Sequence, residues 1–325
     1  MGNDGANGNK LRVVVTDYGF PDVEAERRIV ASVGAEFAAA QCKTPEQVIA
    51  TAAEADGLLV QWAPITREVI SKLHRCRVIV RYGVGVDNID LTAAKDRGIA
   101  VCNVPDYCMN EVADHTMALA LALVRQLPIV DRRLRSGTWK IVPVSPMPAC
   151  REMTFATAGF GRTAQAVLRR AREFGFRRAA YDPYVTDQVL ESEGVRRLSL
   201  EELFSQSDVL SLHCPLTTET RHFINMDRLR SMKKTAILVN TARGELVDTY
   251  ALAEALEEKV IAYAGLDVFD PEPLPDRHPI VQCQNALLTS HVAWFSESSL
   301  PTLRKLAAEE VVRGIRGEPL RNKVA

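Results

Sequence analysis

The 325-residue sequence predicts an α/β protein of two doubly wound lobes, each built on a parallel sheet. Three features carry that prediction. Short β-rich runs alternate with segments whose apolar residues fall at helical spacing, and such alternation implies parallel sheets covered on both faces. A strand, a turn with two glycines and a helix open a second alternation near residue 153. Ahead of it, PVSPMP (143–148) places three prolines where neither a helix nor a central strand can run, so a boundary or extended arm lies there.

From the N-terminus, MGNDGANGNK reads as a loose leader, with no apolar signal core and no Ser or Thr for acylation. LRVVVTD (11–17), DGLLVQW (56–62) and RVIVRYG (77–83) read as strands of the first lobe. NEVADHTMALALALVRQL (110–127) predicts a long helix. Beyond the proline segment, strands are expected at TFATAGFG (154–161), DVLSLHC (208–214), AILVNTA (236–242) and YAGLDV (263–268). Helical faces are set by Val167, Ala171 and Phe174, and by Leu252, Ala255 and Leu256. NALLTSHVAWFSES (285–298) then reads as a buried strand ending on His291. A lone histidine beside an apolar run is usually a satisfied core or rim residue, so His291 alone decides nothing.

Composition narrows the classes of function. Forty basic against forty-one acidic residues leave a formal charge of −1, which supplies no general field for nucleic acid or an anionic membrane. No apolar run approaches the roughly eighteen residues that read as a membrane span. The seven cysteines form no C-x-x-C pair, which favours reduced thiols over disulfides or zinc and, with no export signal, a cytoplasmic protein without a metal.

The run FATAGFGRTAQAVLRRAREFG has the pattern G-x-G-x-x-A at Gly159, Gly161 and Ala164. Gly159 permits a tight turn, Gly161 lets the backbone approach a pyrophosphate, and Ala164 lets helix and strand pack closely. The helix N-terminus offers its amides to the anion. A second strand ends on Asp182, twenty-one positions beyond Gly161. A carboxylate there can accept both ribose hydroxyls and repels a 2′-phosphate, so NAD is expected over NADP. Arg177 and Arg178 temper that preference.

Further on come LVNTARGELVD with Arg243, GLDVFDPEPLP with Glu272 and TSHVAW with His291. Each lies at or just past the C-terminal end of an expected strand, where open parallel sheets bind ligands. With the glycine turn and VRYGVGVDNIDLTAAKDRGIAVCNVPDYCMNEVADH (80–115), they closely resemble the D-isomer-specific 2-hydroxyacid dehydrogenases from about residue 11 onward.

That resemblance implies two Rossmann-like domains. One is a discontinuous, flavodoxin-like substrate domain (1–106 and 300–325) and the other an NAD-binding domain (107–299), with the active site between them. It implies hydride exchange between NADH and a 2-oxo acid to give a D-2-hydroxy acid. Arg243 would bind and polarise the substrate, His291 would be the general acid, and Glu272 would hold the far ring nitrogen and favour the imidazolium. Backbone amides of Tyr82, Gly83, Val84 and Gly85 would bind the substrate carboxylate. Thr116, Arg162 and Thr163 would touch the cofactor phosphates, Asp267 the carboxamide, and His213 and Pro215 would line the cofactor cleft, as would Thr241 and Ala242. The arm at 128–150 would cross to a second subunit, giving a homodimer.

HVAW resembles the C-terminal-binding-protein branch, in which Trp294 would lie beside the substrate tail and favour an apolar or aromatic one. That branch also supplies the alternative, an NAD-sensing scaffold with little turnover. His115, on an apolar helix, is read as structural. Ala156, Ala158 and Thr163 depart from the family's pattern in the nucleotide turn, which bears on cofactor affinity.

Overall fold

The computed structural model describes residues 10–141 and 146–325. The chain forms two compact units, Met1–Tyr107 with Ser296–Ala325, and Cys108–Phe295. Of the proline segment expected at 143–148, only Pro146, Met147 and Pro148 fall within the described residues, and they carry no regular structure.

The first unit holds five parallel strands: β1 (Arg12–Val15), β2 (Glu36–Ala39), β3 (Gly57–Val60), β4 (Val78–Arg81) and β5 (Ala100–Cys102). Their order is β2-β1-β3-β4-β5, the flavodoxin-like winding whose switch point separates β1 from β3. The interior strands read as continuous apolar runs because both faces are covered: Leu58, Leu59, Val60, Val78, Ile79 and Val80 are fully buried. The returning helix Ser299–Arg316 lies against β3 and β4 in a close approach made possible by two glycines. A Cβ at Gly57 would stand 2.7 Å from Val311, and one at Gly314 would stand 2.4 Å from Val78.

The second unit holds seven parallel strands: β6 (Thr154–Ala158), β7 (Arg177–Tyr181), β8 (Arg196–Arg197), β9 (Val209–Leu212), β10 (Ile237–Asn240), β11 (Tyr263–Leu266) and β12 (Ala286–Leu288). The order β12-β11-β10-β9-β6-β7-β8 reverses direction between β6 and β9, which opens the crevice where a doubly wound sheet takes a dinucleotide. Despite its threonines and small residues, β6 is fully interior, with Phe155, Ala156, Thr157 and Ala158 all buried.

Two sequence expectations need correction. The long helix runs Met109–Val124, stopping short of 127, because Gln126 takes a left-handed φ of 52°. A separate helix, Leu127–Arg135, begins there with Pro128 in its first turn, where a missing amide costs nothing. The apolar run before His291 is also no buried strand. As the end strand of its sheet, β12 has one neighbour and its three residues are only half-buried. No helix among the described residues is long and apolar enough to cross a membrane.

The fit at Gly314 predicts that Gly314→Ala lowers stability. Alanine gains about 1 kcal/mol in helix propensity, but overpacking against a rigid β-branched neighbour costs about 1–3 kcal/mol. Because Val78 is fully buried in a central strand and cannot retreat, the clash wins. Urea denaturation should therefore show a lower midpoint for the variant with an unchanged slope.

Candidate active site

The sequence-predicted cofactor and catalytic residues of the second unit gather on one edge of its sheet. Gly159 and Gly161 follow β6, Asp182 follows β7, and His213 follows β9. Thr241, Ala242 and Arg243 follow β10, Asp267 follows β11, and His291 stands three residues past β12. Parallel strands place every one of these turns at the same side, which is how distant stretches of chain converge.

The two glycines of the turn are required for different reasons. Gly159 has φ 96°, and a Cβ there would lie 2.9 Å from the backbone of His213, so the chain itself excludes any other residue. Gly161 has φ −68° and ψ −177°, open to any residue, and a Cβ there would meet nothing within 4 Å. The space above Gly161 is what a closely approaching pyrophosphate needs. The helix Arg162–Glu173 starts there without a side-chain cap, leaving its first amides to an anion. Ala164 is fully buried, as close helix–strand packing demands.

Asp182 does two tasks. One carboxylate oxygen accepts from the Phe160 amide at 2.8 Å, which fixes the glycine turn to the end of β7, and the other accepts from Tyr184 at 2.9 Å. The plain turn-capping role is thus realised, while further lone pairs remain for ribose hydroxyls. Arg177 donates to the Glu152 carbonyl and Arg178 to that of Gly194, so neither guanidinium is turned to Asp182 as a 2′-phosphate clamp would be. Arg197 donates to the Asp182 carbonyl at 3.0 Å. Together these residues fit NAD.

Other cofactor candidates are placed less directly. Thr116 is fully buried, its hydroxyl 2.7 Å from the Val112 carbonyl and 2.8 Å from the Thr241 hydroxyl. The two threonine hydroxyls thus hold each other at the end of β10. Arg162 is exposed and Thr163 half-buried at the helix start. His213 contacts the Ser211 hydroxyl at 2.9 Å, and burial pulls its pKa down to about 4, so the ring is neutral at physiological pH. Pro215 is exposed just beyond.

The catalytic candidates form a linked set. Glu272 Oε2 lies 2.8 Å from His291 Nδ1, and Glu272 Oε1 accepts from the Phe269 amide at 2.8 Å. Burial pushes the Glu272 carboxyl up. The hydrogen bond and charge of His291, the Phe269 amide and the charge of Arg243 outweigh it, and the net direction is below the ordinary carboxylate range. Arg243 is half-buried, and its loop is pinned because a Cβ at Gly244 would fall 1.8 Å from the Phe269 carbonyl oxygen. The residues around Phe269 therefore position both the cation and the carboxylate.

His291 has φ 55°, a left-handed conformation that costs a non-glycine residue about 1–2 kcal/mol. It is held there by Asp267. That carboxylate is fully buried and accepts from Val292 N at 3.0 Å, Ala293 N at 2.9 Å and the Thr289 hydroxyl at 2.5 Å. The Asp267 carbonyl takes the His291 amide at 2.7 Å. Asp267 is thus the foundation of the His291 turn. His115 joins the same group, with Nε2 2.9 Å from the Thr289 hydroxyl, in keeping with a structural role. Trp294 is half-buried and meets Phe295 edge to face at 5.6 Å.

In the first unit, the loop after β4 begins with buried Tyr82, turns through Gly83 at φ 132°, and presents Val84 at the surface, with Gly85 half-buried beyond it. Asn103 holds the Val84 carbonyl at 2.7 Å. Two residues here and in the second unit escaped the sequence reading. Arg81 lays its guanidinium across Gly83, so close that a Cβ at 83 would fall 1.8 Å from Nη1. Asn240 is fully buried at the end of β10, where it accepts from Ala242 N and donates to the Arg243 carbonyl, shaping the Arg243 turn. A polar residue ending an apolar strand was the signal available for each.

Comparison with known proteins gives the family. Residues 117–293 match the family model described as D-isomer specific 2-hydroxyacid dehydrogenase, NAD binding domain. A D-3-phosphoglycerate dehydrogenase of Methanocaldococcus jannaschii is 39% identical over 97% of the chain, which spans 59% of that relative's length. A glyoxylate reductase of Korarchaeum cryptofilum is 41% identical over 78% of each chain. The crystal structure of a D-lactate dehydrogenase from Aquifex aeolicus, complexed with NAD and lactic acid, superposes with a TM-score of 0.85 at 29% identity, over 94% of this chain and 96% of that one. The chain belongs to the D-isomer specific 2-hydroxyacid dehydrogenase family, and NAD is its cofactor.

The open space over Gly161 predicts a separation of effects for Gly161→Ala. Thermal stability of the unliganded protein should change by no more than about 0.5 kcal/mol, as at an unstrained surface site. NADH affinity, followed by fluorescence titration, should fall about tenfold or more, equivalent to at least about 1.4 kcal/mol.

Proposed function

We propose that the protein is an NAD-dependent 2-oxo acid reductase that forms a D-2-hydroxy acid, with Arg243, Glu272 and His291 as its catalytic group. The observation that carries this reading is the Glu272–His291 pair at 2.8 Å, with the charge of Arg243 acting on the same carboxylate. A structural histidine does not need a strained turn, a dedicated carboxylate and a neighbouring guanidinium.

When bound, NADH supplies the hydride. The chain's own residues do the remaining work. Arg243 offers a planar, permanently charged fork to the oxo acid, suited to gripping its carboxylate and polarising its ketone oxygen. His291 delivers a proton from Nε2 as negative charge develops on that oxygen, while Nδ1–H donates to Glu272. Glu272, ionised well below neutrality, favours the protonated imidazole and fixes the ring's orientation. Gly161, the first turn of the helix after it and Asp182 hold the dinucleotide. Tyr82, Gly83, Val84 and Gly85 form the substrate-carboxylate loop, with Trp294 as a wall for the substrate's tail.

Support for self-association comes from the segment after Val124. The helix Leu127–Arg135 buries none of its residues, and Leu127, Val130, Leu134, Trp139 and Ile141 are all exposed. A run of large apolar groups in water marks an interaction surface, and we assign it to a homodimer of a cytoplasmic enzyme. The oxo acid itself is left to a panel spanning glyoxylate, pyruvate and branched, aromatic and phosphorylated oxo acids. Trp294 favours an apolar tail, whereas the cationic Arg81 beside the loop favours an anionic one. NADH binding without turnover across the whole panel would replace the enzyme with an NAD-sensing scaffold.

His291→Ala should depress kcat by roughly 10²- to 10⁴-fold with little change in NADH binding, the span for losing a general acid. Arg243→Ala should raise KM for the oxo acid and slow turnover as well. An unaltered KM would remove Arg243 from carboxylate binding. The pH dependence has a defined sign. The Glu272 carboxyl is held below its ordinary range, so its charged bond to the His291 ring is present at neutral pH and is lost as pH falls through that lowered value. Glu272→Gln, which has no carboxyl to protonate, should therefore lower kcat/KM at neutral pH and remove its fall on the acid side, and an acid limb that stays in place would show that Glu272 does not set it.

A further inference from the structure

A buried ionic cluster in the first unit lies outside the groups used so far. Glu26, on the helix Glu24–Ala31, is fully buried. Arg304, on the returning helix Ser299–Arg316, grips it with Nε at 3.0 and 3.2 Å from the two carboxylate oxygens and Nη2 at 2.8 Å from one of them. The same Nη2 reaches Asp22 at 2.8 Å. Glu26 also accepts from a neutral partner, the hydroxyl of Tyr82, at 3.2 Å. The Tyr82 ring is 2% exposed and meets Phe20 edge to face at 5.1 Å, and the Arg304 guanidinium stands 5.7 Å from the centre of the Phe20 ring.

Stability alone is a weak reason for such a cluster. Taking a carboxylate and a guanidinium out of water costs several kcal/mol each, and well-packed apolar side chains of similar volume often do as well or better. What an ionic cluster provides is direction: a bidentate fork fixes the carboxylate, and the fixed carboxylate fixes the phenol. Tyr82 is the first residue after β4, and its neighbours are Gly83, Val84 and Gly85. Glycines at 83 and 85 leave that loop with little side-chain packing of its own to hold it. Among its restraints are the Gly83 amide on the Arg81 carbonyl at 3.0 Å, the Val104 amide on the Gly83 carbonyl at 2.9 Å, Asn103 on Val84, the Arg81 guanidinium across Gly83, and the anchored Tyr82.

We propose that Glu26 and Arg304 are positioning residues for substrate-carboxylate binding, acting through the Tyr82 hydroxyl to hold the Gly83–Gly85 amides in register. The inference rests on the reading of that loop given above. Burial, and then the charge of Glu26, hold the Tyr82 phenol well above its ordinary range, so it remains a hydrogen-bond donor at any working pH. Loop amides contact the carboxylate equally in ground and transition state, so their loosening should appear in KM and not in kcat.

The test uses Tyr82→Phe, which removes one oxygen and keeps the ring against Phe20, together with Glu26→Gln and Arg304→Lys. Each should raise KM for the preferred oxo acid by about tenfold, with kcat and the NADH dissociation constant within about twofold of the unmodified enzyme. Hydrogen–deuterium exchange of the unliganded protein should show the amides of residues 83–86 exchanging about tenfold faster in Tyr82→Phe, with β1 and β3 unchanged. Unchanged exchange at 83–86 overturns the proposal, and so does faster exchange spread evenly through the first unit, which would make the hydroxyl a general stabiliser. Should Glu26→Gln or Arg304→Lys fail to fold, Tyr82→Phe decides the matter alone. If the unmodified protein reduces no oxo acid, the enzymatic reading fails, and the exchange result still settles whether the cluster holds the loop.

Discussion

The buried carboxylate of Asp267 takes three donors from the turn after β12, and the placement of His291 is built on that grip. An isolated buried anion would be costly, but one that accepts the Val292 and Ala293 amides and the Thr289 hydroxyl is compensated where it stands. The gain is a backbone conformation His291 would not choose by itself. With φ at 55°, the ring leaves the strand direction and meets Glu272. Strain of this kind persists only where its surroundings over-determine it, and here a buried carboxylate, a backbone hydrogen bond and a side-chain partner all act on the one residue.

A second constraint comes from the sheet. Seven parallel strands end on one edge, so turns far apart in the chain, such as those at Gly159 and His213, become neighbours without any long loop. The close packing at Gly159 and Gly244 removes the freedom of the turns they occupy, the first against His213 and the second against Phe269. The candidate cofactor and catalytic positions on these turns are therefore held by backbone contacts between adjacent strand ends. Gly161 is the exception: no described residue lies within 4 Å of a Cβ placed there.

Much of this was legible from residue order. Interior strands such as GLLV and VIVR are unmistakable because both of their faces are buried. The edge strands Glu36–Ala39, Arg196–Arg197 and Ala100–Cys102 went unread, since a short strand with one neighbour needs no apolar run. The helix break at Gln126 was equally silent, because a left-handed residue without glycine leaves little trace in sequence. Arg243, Glu272 and His291 could be singled out by their places after strands and by likeness to a family. Asn240 and Arg81 offered only a polar residue at a strand end and passed unread, for their importance lies in which backbone they touch.

What the sequence determined by itself was the pattern: alternating strands and helices, a glycine turn with an acidic strand end, and a set of chemical groups each placed past a strand. Those are local properties, written in spacing and residue type. Tertiary structure alone decided that Asp267 holds the His291 turn, that the Thr116 hydroxyl meets that of Thr241, and that Tyr82 is tied through Glu26 to Arg304, more than two hundred residues away. The reason is physical. A hydrogen bond across a fold is satisfied by a partner's position in space, and no interval along the chain encodes that position.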